Sequence, residues 1–176
     1  MQPTFGSMFQ PGLQTGPSLE VELVSPHARI GGAVNLGAYT RLSDLLNFHD
    51  DILTVSNGVV LNRTGIRTAD GSSQLDVRLD DLSFVLDRSS YVPPPDPNDT
   101  VEKRAVRMLA VTEGHLITGT IYIYPGAEPI AYLRAKEPRW LPVTDVRVRS
   151  LVDRRIKFGA AFAVLQRKGV LATAVI

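Results

Sequence analysis

The feature that most constrains the fold of this chain is an internal repeat, with one pattern present in each half of its 176 residues. When Gly32 is placed over Gly119, residues 30–36 (Ile-Gly-Gly-Ala-Val-Asn-Leu) lie over residues 117–123 (Ile-Thr-Gly-Thr-Ile-Tyr-Ile). Both segments alternate apolar residues with other types, which is the pattern of a half-buried β-strand. Self-similarity of this kind is typical of architectures that use one structural unit more than once.

Four further segment pairs keep the same order along both halves. Residues 23–25 align with 110–112, 45–46 with 132–133, 52–57 with 140–145, and 84–88 with 163–167. The prolines between the halves fix φ and remove backbone donors, which favours an extended linker. We therefore predict a flexible tail over 1–17, a first (acidic) β repeat over 18–92, a Pro/Asp-rich linker over 93–102, and a second (basic) β repeat over 103–176.

Each repeat is predicted to contain five strands and one short helix. The strands are expected at about 19–25, 29–37, 52–56, 59–63 and 82–92, and again at about 104–112, 115–124, 140–149, 158–166 and 169–175. Five short strands with one helical turn favour a small, bent barrel. The predicted fold class is thus mainly β, with two tandem small SH3/Sm-like five-stranded units, each with one short helix. The alternative is that both copies share one β-sandwich.

The dipeptide Asn57-Gly58 is a strong hairpin turn when it is considered alone. Its counterpart in the second repeat, Asp145-Val146, contains no turn residue and lies in a run that resembles one long strand, residues 141–149. We therefore interpret Asn57-Gly58 as a β-bulge within a strand.

Charge is divided unequally between the repeats although the whole chain carries only +1. Residues 1–100 hold 6 Arg and Lys against 12 Asp and Glu, a net −6, whereas residues 101–176 hold 13 against 6, a net +7. Such a split can draw the two halves together or favour head-to-tail contacts between chains. The sequence has no cysteine and no apolar run long enough for a membrane span, and its beginning lacks signal-peptide features, so we expect a cytoplasmic protein.

In the first repeat a Gly-x-hydrophobic strand, Gly32-x-Val34, is followed by an Arg-Leu-Ser-Asp-Leu-Leu-Asn turn at residues 41–47. These two motifs resemble the markers of a recurring bacterial domain family of unknown function. The resemblance covers roughly residues 20–90 well and residues 104–150 more loosely, because the second copy has Glu-Pro-Ile-Ala-Tyr-Leu-Arg at 128–134 instead. It implies no activity, and it implies that any role of the motif belongs to the first copy.

The polar residues of this turn, Arg41, Ser43, Asp44 and Asn47, are the candidate contact site for a partner. The alternative interpretation is structural. Ser43 and Asp44 would then bind the first amides of a helix, Asn47 would end that helix in a left-handed conformation, and Arg41 would pair with a nearby acid.

Basic and aromatic residues crowd the second repeat, and such residues on a small barrel can hold single-stranded nucleic acid. The candidates for this alternative function are Arg134, Lys136, Arg139, Trp140, Arg147 and Arg149. We predict no catalytic residue and no cofactor, because no nucleophile elbow, phosphate loop or dinucleotide motif is present. We also predict no metal site, because the three adjacent residues His49-Asp50-Asp51 would rarely all point one way. The leading hypothesis is a non-enzymatic interaction or assembly module that binds a protein partner or self-associates as a homo-oligomer.

Overall fold

The computed structural model describes residues 16–49, 51–62, 64–68, 71–95 and 100–176. Within them the chain is mainly β, as predicted, with ten antiparallel strands in one open sheet and two short helices. The strands are β1 (Ser18–Val24), β2 (Arg29–Asn35), β3 (Ile52–Leu61), β4 (Ser72–Arg78), β5 (Phe84–Asp87), β6 (Arg104–Thr112), β7 (His115–Ile123), β8 (Trp140–Ser150), β9 (Lys157–Gln166) and β10 (Val170–Val175). The helices are α1 (Leu42–Phe48) and α2 (Pro129–Arg134), and 3-10 turns cover Leu79–Asp81 and Arg167–Gly169.

The two halves of the chain contain the same elements in the same order: two strands, a helix, two strands, a 3-10 turn and a last strand. The sheet order is β10-β6-β7-β8-β9-β5-β1-β2-β3-β4, so each half contributes five adjacent strands. The halves join where β9 pairs with β5. This single ten-stranded sheet does not establish closure of each half into an SH3/Sm-like unit, which stays a prediction.

A β-bulge occurs at the same place in both halves, and the interpretation of Asn57-Gly58 is confirmed. The strand β3 runs through this dipeptide, and the pairing of β2 with β3 shifts between Gly31 and Ala33. Both Asn57 and Asp145 have a φ of 51°, the left-handed conformation that, among residues other than glycine, Asn and Asp adopt most readily. The two separate strands predicted at 52–56 and 59–63 are therefore one strand.

Close backbone packing explains the glycine that anchors the sequence repeat. A Cβ atom at Gly32 would lie 2.5 Å from Val55 Cγ1, and one at Gly119 would lie 2.4 Å from Val143 Cγ1. Each glycine thus lets β2 or β7 lie close against the bulged strand that it pairs with.

The alignment of residues 84–88 with 163–167 is wrong. The structural counterpart of β5 is β10, because β5 pairs with β1 in the way that β10 pairs with β6. Residues 163–167 instead contain the strand that lies next to β5, where Phe84 faces Leu165. The two apolar strands look alike in sequence because both are buried on both faces at the junction. The counterpart of β9 is β4, a strand that the sequence pattern did not predict.

Two hydrophobic cores pack against the sheet, and each receives side chains from both halves. The first surrounds α1, whose Leu42, Leu45 and Leu46 are buried at helical spacing, and it includes Trp140 from β8. The second belongs mainly to residues 106–165 but also includes Phe84. The two halves therefore share core residues as well as a sheet.

The predicted tail over 1–17 lies outside the described residues except for its last two, and so do residues 96–99 of the predicted linker. The predicted domain bounds at 92 and 103 fall between β5 and β6 and stay a prediction. Neither helix in the described residues is long and apolar enough to cross a membrane.

Candidate interaction site

The helix α1 carries the four residues predicted to contact a partner, and the structure separates their environments. Arg41 precedes the helix and is half-buried, Ser43 is buried, and Asp44 and Asn47 are half-buried. Arg41 makes no side-chain capping hydrogen bond, and Ser43 Oγ lies 3.5 Å from an oxygen of Asp44. Arg41 and Ser43 line a small depression of about 370 Å³, which Asp44 and Asn47 do not reach.

Asn47 has a partner within the chain. Its side-chain Nδ2 donates to Trp140 O at 3.1 Å, and its Oδ1 accepts from Trp140 N at 2.8 Å. The same Nδ2 donates to Ser43 O at 2.9 Å. Asn47 lies inside α1 and does not end it, because His49 follows the helix with a φ of −83°. The amide therefore fixes the helix of the first half to a strand of the second.

We expect Asn47→Ala to lower the free energy of unfolding by about 1–3 kcal/mol, because the Trp140 amide would lose its acceptor in a largely buried place. Urea denaturation followed by tryptophan fluorescence measures the change. Asp44→Ala, on the same helix, is the matched control and should have a smaller effect, since among the described residues its carboxylate receives only the long Ser43 contact. Equal losses in the two variants would contradict the structural role of Asn47.

The junction between the halves is polar at one end. Gln166, which is buried, donates from Nε2 to Leu79 O at 2.9 Å and from its backbone N to Ser83 O at 2.9 Å. Arg139 forms ion pairs with Asp80 at 3.0 Å and with Asp51 at 3.3 Å. The acidic first half and the basic second half thus meet through opposite charges.

A groove of about 760 Å³ lies beside β10 in the second half. Its walls are the end of α2 and the residues that follow it, the second 3-10 turn, and the start of β10. In the first half the corresponding space, between α1, the first 3-10 turn and β5, is occupied by Arg139, Trp140 and Gln166 of the second half. The same groove is therefore filled in one copy and open in the other.

Both ends of the sheet are free strand edges within the part of the chain that the structure describes, β10 at one end and β4 at the other. The N–H of Ile176 donates to Arg107 O on β6. Because the backbone groups of a strand alternate in direction, the N–H and C=O of Thr173 and Val175 point away from β6. They are the groups that an added strand would bind.

The residues predicted to bind nucleic acid do not form one surface. Arg134, Lys136 and Arg139 line the groove beside β10. Arg147 and Arg149 line a separate, shallow depression on β8 with Lys157. Arg139 is held by its two aspartates. The list is completed by Trp140, which is 0% exposed and so is not available for stacking on a base. The nucleic-acid hypothesis stays a prediction.

The sequence pattern did not predict the groove or the free β10 edge. The sequence difference that could have indicated them is an apolar residue, Leu171, at the position equivalent to Ser83. The wrong alignment of β5 with β9 did not place these two residues together. Leu171 is 72% exposed, and Ser83 is buried beneath the second half. Among the described residues, no cluster of three His, Cys, Asp or Glu side chains is placed to hold a metal ion.

The comparisons with known proteins do not identify a relative. No family model matches this chain, and neither a curated protein nor a solved structure is similar enough to show a relationship.

Proposed function

We propose that the chain is a non-enzymatic interaction module that binds an extended segment of a protein partner along β10 and in the groove beside it. The observation that carries this proposal is a difference between the two halves. The groove of the first half is filled by residues of the second half, whereas the equivalent groove of the second half is open. In this proposal each half acts as a small SH3/Sm-like unit whose outer strand receives a strand from its neighbour.

The edge strand β10 has the chemistry of a strand acceptor. Proteins usually protect a free edge with charged residues, prolines or bulges that face the edge, because unpaired backbone groups invite added strands. The strand β10, Val170–Val175, contains no charged residue and no proline. Its one irregularity, between Val170 and Ala172, lies at its start, and the pairing with β6 is regular from Ala172 to Val175. Leu171 and Ile176 at its two ends are 72% and 60% exposed. An added strand would satisfy the outward backbone groups and cover these apolar side chains.

The groove also indicates the charge of its occupant. Lys136 and Lys168 lie in its wall, with one acid, Glu137, among them. In the first half the corresponding 3-10 turn is acidic, and its Asp80 receives the basic Arg139. The open groove has the opposite charge, so a segment that continues from an apolar strand into acidic residues fits it best.

Selection of displayed random peptides, about 12 residues long to allow a strand and a turn, tests this proposal. The immobilised full chain should enrich peptides with alternating apolar residues followed by acidic ones. Thr173→Pro should abolish the enrichment, because proline removes an outward-pointing donor and leaves the bonds to β6 in place.

Thr173→Ala is the matched control and should select the same peptides as the wild type, since it keeps the backbone N–H. Enrichment that survives Thr173→Pro, or no enrichment on the wild type, would overturn the proposal.

A further inference from the structure

The junction between the two halves joins two different edges, and this has a consequence for the free ends of the sheet. Within the chain, β9 of the second half pairs with β5 of the first. The counterparts of these strands are β4 and β10, which are the two free edges. A contact that joins unlike surfaces can be repeated from one copy to the next, which produces rings or filaments. The free edges β4 and β10 are therefore the two surfaces needed to form the same kind of junction between two chains.

We propose that the partner of the β10 edge is β4 of a second copy of this chain, so that chains associate head to tail. This inference rests on the proposed function and names its partner. The new junction would reproduce between chains the pairing of β5 with β9 that already exists within each chain.

The internal junction fixes the register of the proposed contact. Val85 faces Val164 within the chain. The counterpart of Val85 is Thr173, because Val85 pairs with Leu23 on β1 as Thr173 pairs with Ala110 on β6. By the same comparison, the counterpart of Val164 on β4 is Asp76, since Thr54 pairs with Asp76 as Pro142 pairs with Val164. Thr173 of one chain should therefore face Asp76 of the next.

The backbone groups at these positions point in the required directions. The N–H of Gln166 donates across the internal junction to Ser83 O. Val164, two residues earlier on the same strand, directs its N–H and C=O to the same side. Asp76, its counterpart, directs these groups to the free side of β4, just as Thr173 directs its own to the free side of β10.

The proposed contact between chains has opposite charges on its two sides, as the internal junction does, but the acid and the base have exchanged sides. Within the chain, the basic Arg139 pairs with Asp80. The counterparts of these two residues are Asp51 and Lys168. Asp51, on the β4 side of one chain, would therefore meet Lys168, beside β10 of the next chain. Each already lies in an ion pair within its own chain, Asp51 with Arg139 and Lys168 with Asp80. Their side chains are nevertheless 83% and 71% exposed, so both remain accessible to a second chain.

Two proline variants test the inference in solution. Thr173→Pro blocks the β10 edge, and Asp76→Pro blocks the β4 edge, while both leave the inner pairings of these edge strands intact. Analytical ultracentrifugation and native mass spectrometry should find species larger than a dimer for the wild type and monomers for each variant alone. An equimolar mixture of the variants should form a 1:1 heterodimer and nothing larger, because it contains one functional edge of each kind.

Several outcomes would overturn the inference. A wild-type chain that is monomeric at about 100 μM has no useful self-association. A dimer of Asp76→Pro alone would show that like edges pair. If the wild type is monomeric but peptides are still selected in a Thr173-dependent way, the proposed function stands with another partner.

Charge reversal provides a second test that does not depend on proline being tolerated. Lys168→Glu and Asp51→Lys should each weaken association of the full chain at low salt, and the two changes combined in one chain should restore it. Absence of any restoration would contradict the head-to-tail pairing. Circular dichroism confirms that every variant used is folded.

Discussion

Glu22→Gln is expected to lower the free energy of unfolding by about 3–5 kcal/mol, which is the usual cost of removing one partner from a buried ion pair. The Glu22 carboxylate is buried on β1 and accepts hydrogen bonds from Arg29 and Arg88. Glutamine keeps the shape of the side chain but removes the charge, so that Arg29, only 6% exposed, loses the negative charge of Glu22. Thermal and urea denaturation measure the loss.

The Glu22 network also connects the two halves. Arg29 lies over the ring of Phe158 on β9, with 4.1 Å from its Cζ to the ring centroid, and Arg88 donates to Gly159 O on the same strand. The matched control is Glu20→Gln at an exposed position of β1, where the same chemical change should cost little. Equal losses at Glu20 and Glu22 would show that the buried network does not stabilise the fold.

Trp140→Ala should have an effect of similar size, about 3–5 kcal/mol, because it creates a large cavity in the first core. The indole is wholly buried although it belongs to a strand of the second half. Its Nε1 has no hydrogen-bond partner among the described residues. Trp140→Phe should therefore cost clearly less, since it keeps most of the ring volume and removes a donor that is buried unpaired. Chemical denaturation followed by circular dichroism compares the two variants.

Tyr122→Ala is the control for loss of an aromatic residue, because Tyr122 is about half exposed on β7 and should be replaced at little cost. A Trp140→Phe variant as unstable as Trp140→Ala would contradict the assignment of the indole N–H as an unpaired group.

Much of the fold was predictable because the repeat could be checked against itself. The bulge at Asn57 was predicted because its counterpart Asp145 lies in a strand without a turn, although Asn57-Gly58 alone indicates a hairpin. Gly32 and Gly119 were likewise identified as equivalent positions by comparison of the two repeats. Where the two copies agree, one copy corrects the local ambiguity of the other.

The strand β4 was missed because its pattern is that of an edge. Within Ser72–Arg78, only Leu75 and Val77 are apolar, and only Val77 is buried. Its counterpart β9 was predicted because it lies between two strands and is accordingly apolar. Position within the sheet, and not intrinsic strand preference, decides how clearly each strand appears in the sequence.

The motif at residues 41–47 does not indicate the candidate site, which is the open groove beside β10. Asn47 was predicted to contact a partner because it is polar. It does bind a backbone group, but that group is Trp140 of the same chain. Polar residue types do not reveal whether the group that satisfies them lies within the chain or outside it. The open groove became visible only when the structure supplied the correct counterpart of each strand.

The short strand β5 belongs to two cores at once, since Val85 points into the first and Phe84 and Leu86 point into the second. Deletion of either copy would consequently leave apolar side chains of the other facing water. Duplicated units that remain separable can be lost, exchanged or multiplied without harm to their neighbours. A strand that serves two cores removes that freedom, so these copies must be inherited together as one evolutionary unit.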